Sequence, residues 1–386
     1  MKKLISFLII LGVFSSCSFK KTDEGKIHPS KVEIIKVNPN NSDSINLSSL
    51  ISVIEVVPLE TNTTSLLAEI AKLEIDDNQY FILNSQDKLV YVYDEDGKFC
   101  RVIGSRGNGP GELQFPKCFS LLKKDKEVWI VDNFSSFSKY DYKGNFKEKI
   151  DFHLFFSDFI ILDKENLCFH ASKLHNYINE KEPSCWNLWM KDSKSEKLKT
   201  YFPFSSSIYP NGGMYFDTKT PFNIHKDTIL YHYAFSDTIY QINKSKVLPR
   251  YLIDFGTYKS KVDLGNLPGK EALNYMTTQK NEAFYIQDVL EGNSFIKFKY
   301  LMNSKMWDAF FFKEKQLVIN GIVKNDILGA TIKFIKTSGN KLIGYIEPHE
   351  IIITNKTASF LPEKTIQLLQ EVKKDSNPIL IICEIK

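Results

Sequence analysis

"LVYVYDEDGKF" (residues 89–99) and "FSKYDYKGNF" (residues 137–146) carry one pattern, Tyr-Asp-x-x-Gly-x-Phe. Tyr93, Asp94, Gly97 and Phe99 align with Tyr140, Asp141, Gly144 and Phe146 at an offset of 47 residues. Upstream, "YFILNS" (residues 80–85) aligns with "VWIVDN" (residues 128–133) at an offset of 48. Two segments thus repeat in the same order with nearly one period, which chance agreement in one of them would not explain. Each repeat reads as an alternating apolar strand, a turn and a second strand leaving it. Asp94 and Asp141 can accept bonds from the amides that follow, and Gly97 and Gly144 supply the left-handed turn conformation. A period of roughly 40–50 residues built of strands is the signature of a propeller blade.

Less regular units continue the series. "DTILYHYAFSDTIYQI" (residues 227–242) reads as a hairpin, and so does "NEAFYIQDVLEGNSFIKFKY" (residues 281–300), with Glu291-Gly292-Asn293 at its turn. "KLIGYIEP" (residues 341–348) begins a late strand. Helical signals are few. Pro362 suits a first turn, Ile366, Leu369 and Val372 share a face, and Asn377-Pro378 stops that helix. A shorter candidate runs through Lys270–Leu273. Both read as insertions between strands. A propeller must also join its ends, so "SVIEVVPLE" (residues 52–60) and "PILIICEIK" (residues 378–386) are expected in one blade.

Between the two clear repeats lies "GSRGNGPGEL" (residues 104–113). A phosphate-binding P-loop would follow its glycines with Lys-Ser/Thr, and a dinucleotide fingerprint would open a helix. Neither occurs. Gly104, Gly107, Gly109 and Gly111 read as a compact corner stiffened by Pro110. A binding role for Arg106 or Asn108 is the other reading. "YDEDG" lacks the later Glu that a calcium loop requires, so it reads as a turn.

At the N-terminus, a basic Met1-Lys2-Lys3 precedes an apolar run from Leu4 to Phe14. That run is too short for a bilayer span, which needs about 20 residues, and reads as a signal peptide. Ser15-Ser16-Cys17 follows and resembles the lipobox of bacterial lipoproteins, which implies lipidation at Cys17 and attachment to a membrane. Residues 1–17 are therefore taken as leader and lipobox, 18–30 as a polar flexible tether, and 31–386 as a single domain. Lys20-Lys21-Thr22-Asp23-Glu24 resembles the surface-export signal of Bacteroidetes lipoproteins.

Net charge is only +4, so no broad basic field points to nucleic acid. Aromatics reach 13%, which suits strands. Beyond Cys17 the cysteines are odd in number and include no Cys-x-x-Cys, so buried thiols are expected rather than disulfides or zinc. No cofactor is expected and no metal ligand set is visible in the sequence.

Jointly, "VIEVVPLET" (residues 53–61), the two Tyr-Asp-x-x-Gly-x-Phe turns, the glycine-rich corner with "FP" after it, "SDTIYQI" (residues 236–242), "PRYLIDFG" (residues 249–256) and "DSNPILIICEIK" (residues 375–386) cover almost the whole chain. They resemble the six-bladed β-propeller lipoproteins of Bacteroidetes, relatives of the NHL-repeat propellers. The resemblance implies an all-β, six-bladed propeller of four-stranded antiparallel blades, with short helical insertions, lipid-anchored in the outer membrane. Three functions follow as alternatives: a binding or scaffold module for a glycan, peptide or envelope protein; a lyase or hydrolase with a divalent metal in the central channel; an accessory subunit of a transport complex. Ligand-binding candidates lie where the period breaks down, in residues 175–190 and 202–216: Trp186, Trp189, Tyr209, Asn211 and Tyr215, whose flat and polar groups suit a sugar or a peptide. Arg106 joins them from the glycine-rich loop.

Overall fold

In Tyr80–Leu83 and Val90–Tyr93 every side chain is buried, although a half-exposed strand would alternate. The reason is that both faces of each sheet are covered. Ile82 and Tyr93 pack towards Ile343 and Leu380, whereas Phe81, Leu83, Val90 and Val92 pack towards Phe119 and Ile130. The computed structural model describes residues 16–17, 22–39, 44–134, 136–178, 183–191, 198–207 and 214–386, with the backbone alone for 16–17. It contains six sheets arranged as a six-bladed propeller.

Blade 1 consists of Ile70–Asp76, Gln79–Asn84, Val90–Asp94 and Phe99–Ile103. Blade 2 takes Pro116–Leu122, Glu127–Asp132, Ser136–Asp141 and Phe146–Phe152. Blade 3 takes Asp158–Ile161, Leu167–His170, Trp186–Lys191 and Leu198–Pro203. Blade 4 takes Phe222–His225, Thr228–Tyr231, Thr238–Ile242 and Val247–Asp254. Blade 5 takes Ala283–Glu291, Phe295–Met302, Lys305–Phe312 and Leu317–Lys324. Blade 6 joins Lys333–Ser338, Lys341–Ile346 and Ile379–Ile385 to Ile51–Pro58. A separate apolar cluster fills each junction between neighbouring blades.

The two repeated turns have the same geometry. Asp94 Oδ1 accepts from the amides of Asp96 and Lys98, and Asp141 Oδ1 from those of Lys143 and Asn145. Gly97 has φ +81°, and a Cβ there would sit 2.3 Å from the Pro58 carbonyl oxygen. The expected closure is present: Ile379 faces Pro58 and Ile385 faces Ile51 in an antiparallel ladder. The helices Gly269–Thr278 and Glu363–Glu371 are inserted between strands, as expected.

The N-terminal segment departs from the expectation. Residues 18–30 were expected to be a flexible tether before a domain starting at 31, yet among the described ones Thr22–Glu24 pairs in parallel with Leu198–Thr200. The Gly25 amide donates to Thr200 O, the His28 amide to Val247 O, and Ser30 Oγ to Pro249 O. Ser16–Cys17, Glu33–Lys36 and Ser44–Asn46 likewise pair in parallel with the outer strands of blades 2, 4 and 5. Blades 2 to 5 are therefore five-stranded and mixed rather than four-stranded and antiparallel. Thr22–Glu24 keeps its side chains largely in water and pairs through its backbone, whereas Ile35 and Ile45 of the later outer strands are buried against neighbouring blades. Polar composition in this stretch marks exposure, not disorder.

Strand direction alternates, so every second connection emerges at the same end. One end carries the connections 59–69, 104–115, 171–185, 204–221, 255–282 and 347–378. The other carries tight turns such as 95–98 and 142–145.

Removing Ile379–Lys386 takes the partner from Ile51–Pro58 and opens the ring. The truncated chain is expected to lose its cooperative thermal transition, followed by circular dichroism. Ile381→Ala, at a fully buried position, is expected to lower unfolding free energy by about 3 kcal/mol. A truncated chain melting within about 5 °C of the full chain would show that the ring stands without its closure.

Candidate functional site: the channel mouth on the long-connection face

Inner strands begin at the long-connection end, and their first residues surround the central channel. A cleft of about 300 Å³ lies there, lined by Lys72, Lys117, Ser157, Asp158, Thr218 and Lys219 among others. Below it, charged side chains cross the channel. Lys72 Nζ of blade 1 lies 2.7 Å from Asp158 Oδ1 of blade 3, and Lys336 Nζ of blade 6 lies 2.5 Å from Glu74 Oε2 of blade 1. Burial alone would push the Glu74 carboxyl up, but Lys336 and Lys72 outweigh it and hold it below its ordinary value. Burial would likewise lower Lys72, but Asp158 and Glu74 raise it. For Lys336 burial prevails, and its pKa lies below the ordinary lysine value despite Glu74 beside it.

The segment before blade 4 supplies one wall of the mouth. Asp217 Oδ1 lies 2.7 Å from His170 Nε2, and His170 Nδ1 lies 2.9 Å from the Tyr231 hydroxyl. A proton on Nε2 satisfies both contacts. Burial pushes Asp217 up, and His170 more than reverses this. The Thr218 amide donates to Asp217 Oδ1, and Ser157 Oγ donates to Oδ2 at 3.3 Å. From blade 5 the Tyr285 hydroxyl donates to Asp217 O. The strand Ala283–Glu291 is bulged, and Tyr285 itself has φ +57°, a conformation held only where the surroundings fix it. Asp217 is thus committed from the sides of blades 3 and 5 as well as by the amide of its own neighbour. Thr218 is buried, lines the cleft, and its hydroxyl has no partner among the described residues.

Lys88, Lys117 and Lys219 also line the cleft, and none has an acidic partner within salt-bridge distance among the described residues. Lys117 Nζ sits 4.4 Å from the centre of the Phe134 ring. Large apolar side chains left exposed on this face include Leu66, Phe115, Phe155, Tyr177, Tyr215 and Ile352. Among the described residues no three His, Cys, Asp or Glu side chains group together as a metal ion would require.

Residues 32–384 match a domain of unknown function, DUF4934. The chain belongs to that family. The DUF4934 chain is similar in structure to a protein of Bacteroides fragilis predicted to be exported, at 17% identity and TM-score 0.73, over 92% of this chain and all of that one. It is also similar to a member of the DUF4221 family from Bacteroides vulgatus, at 11% identity and TM-score 0.52, over 87% of this chain and 97% of that one. At these identities the likeness speaks for fold. Among curated proteins none matches the chain.

The residues singled out from the sequence fare unevenly. Trp189 is fully buried against blade 2, its indole donating to Trp186 O, so it is core and not a ligand platform. Trp186 is half-buried against the same cluster. Both belong to a regular strand of blade 3. Tyr215 stands exposed on the long-connection face. Tyr209 and Asn211 lie outside the described residues. Arg106 donates to Gln114 O within its own loop. That loop closes on itself: Glu112 accepts from the Gly109 amide at 2.7 Å, and a Cβ on Gly107 would lie 2.0 Å from the same carboxylate oxygen. Tyr140 of the next blade donates to Gly111 O. Cys118, Cys168, Cys185 and Cys383 are buried free thiols, whereas Cys100 is exposed. The cleft lysines come from blades 1 and 2 and the connection before blade 4, and no local motif joins them. Lys117 and Lys219 share a position at or just before the start of an inner strand, whereas Lys88 comes from the turn between the second and third strands of blade 1.

His232 contributes to the pH dependence of the fold below neutrality. Its Nε2 lies 2.8 Å from Ser236 O, while Nδ1 is buried without a partner, so a second proton has nowhere to bond and burial lowers the pKa from 6.5 to about 4. The folded state binds fewer protons than the unfolded one between these values. Its contribution is therefore complete above pH 6.5 and is lost as pH falls towards 4, by at most about 1.4 kcal/mol per pH unit. Urea unfolding of the wild type and His232→Gln across this window is expected to show a shallower slope in the variant. Lys336→Ala strands Glu74 and is expected to lose about 3 kcal/mol at pH 7, with the loss shrinking once acid neutralises Glu74. Equal slopes in the first comparison, or a pH-independent loss in the second, would refute these assignments.

Proposed function

We propose that this DUF4934 chain is a lipid-anchored binding module of the bacterial cell envelope that takes its ligand at the channel mouth. The observation that carries the reading is the convergence of the long connections on a cleft with uncommitted lysines and an unpartnered threonine hydroxyl. Ligand sites in compact repeat folds favour the face where long connections gather. Export is supported by the leader sequence ending at Cys17, and by likeness to a protein predicted to be exported. Lipidation at Cys17 would attach the chain beside the outer edge of blade 2, where Cys17 lies opposite Phe152. An anchored ring with one elaborated face suits capture of a glycan, a peptide or an envelope partner.

Two experiments test the two halves. Cys17→Ser is expected to move the protein from the membrane fraction to the soluble fraction or to stall its processing. Unchanged membrane association would remove the anchor. Ser157→Trp places a large ring at an exposed mouth position and gives up only the hydroxyl contacts to Asp217 and His170 O, which leaves Asp217 its bonds to His170 and the Thr218 amide. It is expected to keep the melting temperature and lose the signals that the wild type gives on an array of envelope glycans and peptides. Signals that survive intact would move the binding site away from the mouth.

A further inference from the structure

We propose that the channel mouth takes a carboxylate from an acidic, partly apolar peptide segment of a partner protein; this rests on the channel-mouth reading above. The charge balance of the cleft points to an anion. Its three acids are committed: Glu74 to Lys336, Asp158 to Lys72, and Asp217 to His170. Lys72 and Lys336 are committed in turn, which leaves Lys88, Lys117 and Lys219. Glu69, an acid beyond the cleft that feels Lys219, is already bridged to Lys333 at 2.8 Å. Lys117 and Lys219 are exposed, so they can reach an incoming group without a desolvation penalty paid in the free protein. The Thr218 hydroxyl, buried and unpartnered, adds a neutral donor that a carboxylate oxygen would satisfy.

The surroundings of the mouth favour a peptide over a sugar. Lys117 lies over Phe134, and Phe134 lies 6.3 Å from Phe155, which is about half exposed at 49%. Leu66, Met214 and Ile352 are exposed on the same face. Aliphatic side chains bury well against apolar residues of a peptide and offer a sugar hydroxyl nothing. A cationic centre within an apolar face therefore selects a segment that carries both acidic and apolar side chains.

The test uses the full mature chain and three probes: a fluorescein-labelled peptide of alternating glutamate and phenylalanine, the same peptide with glutamine replacing glutamate, and tetragalacturonate as competitor. Fluorescence anisotropy is expected to show saturable binding of the acidic peptide, at least about tenfold tighter than the glutamine form. Binding should weaken as salt rises from about 50 to about 500 mM. Lys117→Ala combined with Lys219→Ala is expected to weaken it by about tenfold or more, and Lys117→Gln with Lys219→Gln likewise, with unchanged melting curves. Lys143→Ala, on the opposite face, should leave it unchanged. Absence of saturable binding overturns the proposal, and so does equal binding by tetragalacturonate. If Ser157→Trp abolishes binding while the lysine variants and the glutamine peptide behave as wild type, the mouth stands and the anion preference falls. If Ser157→Trp leaves binding intact, the mouth itself falls.

Discussion

Everything in this ring depends on one antiparallel pairing, Ile51–Pro58 against Ile379–Ile385. It joins segments more than 300 residues apart and removes the two sheet edges an open ring would expose. Its side chains also serve two interfaces at once. Ile379, Ile381, Cys383 and Ile385 pack towards blade 5, while Leu380 and Ile382 pack towards blade 1. The same division recurs in each blade, so the six interfacial clusters support one another around the circle. The channel's ion pairs, Lys72–Asp158 and Glu74–Lys336, depend on this, because they bring together side chains from blades 1, 3 and 6.

Much of the architecture was legible because turns leave local marks. The Asp-x-x-Gly pattern at Asp94 and Asp141 encodes its own hydrogen bonds, and Gly97 is required by the approach of Pro58. Closure was legible from two Val- and Ile-rich ends with no other place to go. The belt of parallel strands was not, since Thr22–Glu24 carries no apolar pattern and joins the sheet through its backbone ladder. The site was less legible still. Trp189 looked like a flat binding surface, but a residue's position relative to the neighbouring blade decides whether an aromatic is core. Lys117, Lys219 and Thr218 meet only because the ring closes, and spacing along the chain does not record that meeting.

The cleft combines two electrostatic regimes. Deep in the channel, buried charges are matched one to one, as desolvation demands. At the mouth, Lys88, Lys117 and Lys219 are left to solvent, where an unmatched charge is tolerated because water supports it. Asp217 marks the border between the two, held by His170, the Thr218 amide and Ser157. The bulge that aims Tyr285 at the Asp217 carbonyl shows the scaffold spending local strain to fix that border.

The outer belt has a further consequence for how the chain reaches its folded state as it is synthesised. Synthesis delivers residues in order from the N-terminus, yet Thr22–Glu24 must await Leu198–Thr200, and Ile51–Pro58 must await the last strand. Until those partners are made, the early strands stand unpaired, and their bare backbone groups are open to pairing with other chains. The polar side chains of Thr22–Glu24 make that waiting period safer, since a strand carrying Asp and Glu is a poor seed for aggregation. The composition that disguised this strand in the sequence is what keeps it soluble before its partner arrives.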